Sequence, residues 1–183
     1  LCGACLADPR RLELGLAMVE AEIARQILPD GGHITRSPED LVHAYRLITM
    51  VMDALVATSQ AIPQELRAAH DRIAPMIRFF RHGDGALALF NGGHECDARM
   101  VAALLARDDV RGQPFAHAPH SGYQRMAAAK TLAIMDCGKP PEGVHANTAH
   151  AGALSFEFSH GPHRVVVNCG SAGPRHPRWD TAL

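Results

Sequence analysis

The chain has 183 residues, 47% of them hydrophobic and 20% charged, with a formal net charge of −1. That is enough chain for one or two domains with a real core, and it excludes a disordered acidic or basic tail. It also argues against a nucleic-acid binder, which shows a basic excess or stripe, and no apolar run reaches the length of about 18 residues that a membrane helix needs.

The first helix is predicted from Pro9 to Leu28. Leu12, Leu16, Val19, Ile23 and Ile27 recur every three or four residues and form one apolar stripe. Asp8 is positioned to cap it, and Pro9 occupies the first turn, where proline is tolerated. Pro29-Asp30-Gly31-Gly32 ends it. Ser37 and Pro38 start a second helix, whose stripe is Leu41, Tyr45, Ile48, Met52 and Leu55. A third begins near Pro63 with Leu66, His70, Ile73, Ile77 and Phe80 on one face, and Pro75 should kink or shorten it.

The composition then changes. Residues 1–82 hold 4 of the 16 glycines and 4 of the 12 histidines, so most of both lie beyond. Helices followed by glycine-punctuated strands predict an α+β chain with a helical unit over 1–82 and a β unit over 83–183. Ala86–Phe90 is predicted as a strand, Asp97–Ala106 as a short helix, and Tyr123–Ala129 and Thr131–Asp136 as strands. Ala153–Ser159 alternates, and Arg164–Asn168 follows Gly161-Pro162 as its hairpin partner. Leu154, Phe156, Phe158, Val165 and Val167 are expected to include the buried face of that hairpin.

The five cysteines show no disulfide framework, and Cys2-x-x-Cys5 stands without a second pair. They read as small buried thiols. His117, His120, His145, His150, His160, His163 and His176 fall at no spacing specific for a metal. Ser121 and Ser155 lack a nucleophile-elbow context, and no phosphate-cradling glycine loop follows a strand.

The most specific segment is Asp30-Gly-Gly-His-Ile-Thr-Arg-Ser-Pro38. It sets His33 and Arg36 on a loop between two well-signalled helices, a place where binding residues gather. Arginine can hold a carboxylate through two hydrogen bonds, and histidine can exchange a proton near neutral pH. A plain turn followed by a plain cap reads from the same residues. Tyr45 could act as acid or base, although its place on the apolar stripe fits a core tyrosine. His43 is offset from that face and should be solvated.

Four segments together resemble the heparinase II/III family of polysaccharide lyases: Ile23–Pro38, Arg78–Gly93, His120–Gly138 and Ala149–Gly170. The resemblance implies an incomplete α/α toroid followed by an antiparallel β-sandwich. This chain would hold the last toroid helices and the first sandwich strands, as a piece cut at both ends. It implies β-elimination on an acidic, uronic-acid polysaccharide such as a glycosaminoglycan, with no cofactor needed for the electrons to move. A cell-envelope or periplasmic location goes with it.

In that chemistry a group that neutralises the uronate carboxylate stabilises the charge developing as the C5 proton leaves. A tyrosine or histidine takes that proton, and an acid protonates the leaving O4. Carried over residue by residue, His33, Arg36 and Tyr45 become the catalytic candidates, His150 and Asn168 the candidates for a structural zinc or calcium. The chain departs from the family pattern. Glu39, Asp40 and Leu41 follow Ser37-Pro38 where a Tyr-His pair is expected, and Thr148-Ala-His150-Ala-Gly152 keeps one residue of a His-x-His-x-Asp pattern. A catalytically altered carbohydrate-binding relative is therefore the competing expectation.

Overall fold

The helices that start at Pro9, Pro38 and Ala98 begin at side-chain caps. In the computed structural model, which describes residues 1–107, 114–143, 145 and 152–170, α1 is a short turn at Cys2–Cys5 and α2 runs over Pro9–Gln26. The Asp8 carboxylate accepts the Arg11 N–H at 3.1 Å and caps α2. Helix α3 covers Pro38–Ala57, capped by Ser37, whose hydroxyl accepts the Asp40 N–H at 3.4 Å. Helix α4 covers Gln64–Phe79 and carries Pro75 inside without stopping there. Helix α5 is Ala98–Leu105, capped by Asp97.

Between α2 and α3 the chain reverses in a tight turn. The Leu28 N–H donates to Gly32 O at 2.8 Å and the Gly31 N–H to Leu28 O at 2.9 Å. Gly31 has φ +86°, and a Cβ there would lie 2.1 Å from the Arg72 carbonyl oxygen. Only glycine fits this turn.

Five strands follow: β1 (His117–Ala118), β2 (Tyr123–Ala128), β3 (Thr131–Asp136), β4 (Phe156–His160) and β5 (His163–Val166). They form one antiparallel sheet in sequence order, with Tyr123 opposite Asp136, Thr131 opposite His160, and a register shift between Phe158 and Ser159. Helices and one antiparallel sheet make this an α+β chain, and the predicted β4–β5 hairpin forms.

One core runs through both parts. Leu41, Tyr45 and Leu55 of α3 pack with Leu66, Ile73 and Ile77 of α4. At the sheet end, Tyr123 meets Phe80 edge-on at 4.8 Å and Phe90 at 5.0 Å between ring centroids. Such pairs contribute about 0.5–1.5 kcal/mol beyond their area burial, so this aromatic cluster ties the helices to β2.

Three expectations are corrected. The β4–β5 hairpin is turned over: Leu154 and Val165 are 68% and 64% exposed, whereas Glu157 and Ser159 are buried. Period-two alternation defines two faces but not which one is inside. Here the His82 ring decides it, holding Glu157 Oε2 at 2.9 Å from Nε2 and Ser159 Oγ at 2.8 Å from Nδ1. Residues 86–90 form no strand, only the Arg81–Leu87 bridge. The Leu89 amide donates at 2.8 Å to the Glu157 carboxylate instead of to a neighbouring strand. Four of the five cysteines are exposed, and only Cys96 is buried, where burial and nearby Glu39 push its thiol up to about 11.

Candidate functional site

His33 sits on the loop that the Gly31–Gly32 turn brings back beside α2. Its Nδ1 lies 2.7 Å from Thr35 Oγ1, and that hydroxyl donates to Asp40 Oδ2 at 2.7 Å. The Thr35 N–H also donates to Nδ1 at 3.3 Å, and Nε2 lies 3.2 Å from Gln26 Oε1, an acceptor, so the ring proton sits on Nε2 and the lone pair on Nδ1. Burial lowers the His33 pKa, the Asp40 charge raises it in part, and His145 lowers it further. The net direction favours a neutral imidazole, the form that can accept a proton.

Arg36 points the other way, into the sheet. Its backbone adopts φ +60°, a strained conformation for a residue with a side chain. Buried contacts hold it there. Nε donates to Ser121 O at 2.7 Å, Nη1 to Lys139 O at 2.6 Å, and Nη2 pairs with Asp136 Oδ1. The Tyr123 ring lies 4.9 Å from the guanidinium carbon, and the Tyr123 hydroxyl donates to Arg36 O at 2.7 Å. Burial, and then the Asp136 charge, raise the Tyr123 pKa. The guanidinium, 7% exposed, is committed to Asp136 and two carbonyls rather than open to a substrate carboxylate. Arg36 is thus a clamp between loop and sheet.

A second acid braces the same junction. Asp30 Oδ2 accepts the His120 N–H at 2.9 Å, the Ser121 N–H at 2.7 Å and the Ser121 hydroxyl at 2.9 Å. Over Arg36 the chain leaves a cleft of about 470 Å³, bordered by His117, His120, Gln124, Cys137 and Lys139. Gly122 and Gly138 form its floor. A Cβ on Gly138 would come 2.5 Å from Arg36 Nη2. A separate groove of about 370 Å³ between α2 and α3 is lined mainly by apolar side chains such as Met18, Ile23, Leu47 and Val51 and offers no comparable chemistry.

The other candidates fall elsewhere. Tyr45 is fully buried in the helical core, its ring stacked on His70 at 4.6 Å, so it has no face for a substrate. The apolar stripe that carries it explains this. His43 is exposed, as expected. His150 lies outside the described residues. Asn168 donates its backbone N–H to Glu157 Oε1 at 3.1 Å, and among the described residues its buried side-chain nitrogen has no hydrogen-bond partner. It is the side-chain oxygen through which an asparagine would ligate an ion. The adjacent carboxylate of Glu157 is fully engaged, and among the described residues no three His, Cys, Asp or Glu side chains converge to hold an ion.

Sequence reasoning missed Asp136, Asp30, Tyr123 and the His117–His120 edge. An aspartate closing the apolar run Thr131–Asp136 was the available signal, since a buried carboxylate requires a partner.

Residues 110–183 match the family described as Heparinase II/III-like, C-terminal. The FtsZ-localized protein C of Caulobacter vibrioides is 36% identical over 159 residues, covering 87% of this chain and 28% of that protein. The fold matches a heparinase III, the BT4657 gene product, with a TM-score of 0.76 at 12% identity, over 94% of this chain and 31% of that one. It matches the heparan sulfate lyase HepC of Pedobacter heparinus with a TM-score of 0.72 at 15% identity, over 95% of this chain and 31% of that one. The chain therefore spans less than a third of the length of these relatives. Over residues 110–183 the chain is similar to the heparinase II/III-like family.

Proposed function

We infer that the full-length protein is a polysaccharide lyase that cleaves an acidic, uronic-acid-containing glycan by β-elimination. The family match and the fold support the lyase family. The observation that carries the finer reading is His33, linked through Thr35 to Asp40 beside the junction of loop and sheet, where burial favours a neutral imidazole.

In this reading the Gln26 carboxamide turns aside, the ring proton passes to Nδ1, and His33 Nε2 then takes the C5 proton. Thr35 and Asp40 steady the resulting imidazolium through Nδ1. The electrons pass from the C5–H bond into a new C4–C5 double bond, and the C4–O bond to the leaving sugar breaks with its electron pair on O4, which takes up a proton from water. No electron acceptor outside the substrate takes part. Arg36 acts indirectly by fixing the loop, and a metal at His150 and Asn168 has no part in the step. An envelope or periplasmic location belongs to the same reading, and fractionation of cells making the full-length protein tests it.

The test is a time course on a panel of uronate polysaccharides, followed by the ultraviolet absorbance of the conjugated double bond. Unsaturated products from at least one acidic glycan are expected, and none from neutral glucans. Binding without product would establish the second reading, a catalytically altered carbohydrate-binding relative. Glu39-Asp40-Leu41 in place of the family's Tyr-His pair, and the burial of Tyr45, favour that second reading. The name of the Caulobacter relative adds a location at FtsZ as a further possibility for it, which fluorescence co-localisation would check.

A further inference from the structure

The turn α1 carries two cysteines that the elimination step does not use. It begins at Cys2 and ends at Cys5, and both are exposed. The backbone between them is a regular helical turn. The Cys5 N–H donates to Leu1 O at 3.0 Å and the Leu6 N–H to Cys2 O at 2.9 Å. Residues three apart on such a turn share a face. Helix geometry sets their Cα atoms about 5 Å apart, inside the window of about 4.4–6.8 Å that a disulfide needs.

The packing behind the turn fixes which way the thiols face. Gly3 and Ala4, between the two cysteines, are buried. A Cβ on Gly3 would lie 2.3 Å from the Leu12 backbone nitrogen, so α1 is pressed against α2 where only glycine fits. The Asp8 N–H donates to Gly3 O at 2.9 Å and ties the turn to the start of α2. With the inner side of α1 closed, the two thiols stand on its outer side. A cleft of about 400 Å³, bordered by Asp8, Pro9, Thr58 and Gln60, opens beside Cys5.

The other cysteines are placed differently. Cys96 is buried, and its thiol, pushed up to about 11, is held in the unreactive form at neutral pH. Cys137 and Cys169 are exposed but lie beyond β3 and β5, and neither has another cysteine within a helical turn of sequence. A zinc ion is a poor fit to α1, since two thiols fill only half of its shell and among the described residues no third ligand converges. Thiol–disulfide exchange needs the two sulfurs alone.

We propose that Cys2 and Cys5 form a reversible dithiol–disulfide couple that exchanges with small disulfides of the glutathione class. One thiolate attacks a sulfur of the oxidised co-reactant, forms a mixed disulfide and releases one reduced thiol. The second thiolate attacks the cysteine sulfur of that mixed disulfide, closes the Cys2–Cys5 bond and releases the other. The pair gives up two electrons and two protons, and the co-reactant takes up both as two thiols. Both cysteines face solvent, so a reduced thiol can attack the closed bond and restore the dithiol. The couple is independent of the lyase reading.

Equilibration of the full-length protein with oxidised glutathione, at a fixed submillimolar level of the reduced form and a pH of about 8, tests it. Free thiols are then alkylated and the peptides are mapped by mass. A peptide with a Cys2–Cys5 bond and no alkyl group is expected. The second attack is intramolecular, so half-closure should need at least about tenfold less oxidised glutathione than modification of Cys137 or Cys169. Cys2→Ser and Cys5→Ser should each stop at the mixed disulfide, with one glutathione on the remaining cysteine. Both positions are exposed, so the melting temperature should not move.

Cys2 and Cys5 that remain alkylated, or that carry glutathione separately, at levels that already modify Cys137 or Cys169 would overturn the couple. A bond from either one to a different cysteine would overturn it as well.

Discussion

Two buried polar clusters join the helices to the sheet, and they differ in what lies beyond them. Around His82, the ring links Ser159 Oγ to Glu157 Oε2, which gives the connectivity of a serine–histidine–acid triad. Yet all three side chains are sealed from solvent, and Glu157 Oε1 also accepts the Leu89 and Asn168 amides. Around Arg36, the ion pair with Asp136 is just as buried, but its glycine floor opens onto a cleft; His33, on the neighbouring loop, is itself buried and is not among the residues lining that cleft. Hydrogen-bond connectivity alone does not make a reactive site; access separates the two.

Breaking the Arg36 cluster should have the largest effect. Asp136→Ala leaves a buried guanidinium without its counter-charge, which costs about 3–5 kcal/mol. Urea unfolding of the variant should show that loss, and a change under about 1 kcal/mol would mean that the pair is not buried in solution.

Gly138→Ala sharpens the same point through sterics. The added Cβ meets Arg36 Nη2 at 2.5 Å, so the guanidinium must shift. A cost of about 1–3 kcal/mol is expected from overpacking, measured in the same unfolding assay. A neutral result would show that the floor is looser than the contacts imply.

At the sealed cluster, Glu157→Gln keeps one carbonyl acceptor for the two amides but turns the group facing His82 into an amide. A loss of about 1–3 kcal/mol follows from the weaker contact, with no effect on glycan affinity. Leu154→Ser, on the outward face of the same segment, should stay within about 0.5 kcal/mol. Equal losses at both positions would restore the unturned hairpin.

The sequence carried the helices and the hairpins because their signals are local. Asp8, Ser37 and Asp97 announce their caps within a few residues, and the α2 and α3 stripes are regular. What it could not carry is which partner a loop residue finds. Arg36 meets Asp136 across 100 positions of chain, and His82 meets Glu157 across 75. Those long-range pairs decide that the polar side of β4 faces inward and that Arg36 clamps rather than binds. They also explain residues 86–90. Their apolar run looks like a strand, but the amide of Leu89 is satisfied by the Glu157 side chain.

The pH dependence of activity places the smallest strain on the comparison. Burial holds the His33 pKa below its ordinary value, so the acid limb of kcat/KM should lie below the ordinary imidazole value of about 6.5. The same shift gives the folding linkage its sign. Below pH of about 6.5 the unfolded chain takes up the proton first, so the His33 contribution to stability is complete above that pH and is lost as pH falls through the folded pKa.

The most direct measurement is steady-state turnover of the full-length protein on an acidic glycan, with His33→Ala and His82→Ala compared at a temperature where both are folded. If the open junction is the reactive one, His33→Ala lowers kcat by about 10²–10⁴-fold even in the folded variant. His82→Ala should instead lower the melting temperature and leave kcat within a few-fold. Turnover that survives His33→Ala, or that collapses only in folded His82→Ala, would contradict the assignment of the chemistry to the junction beside Arg36.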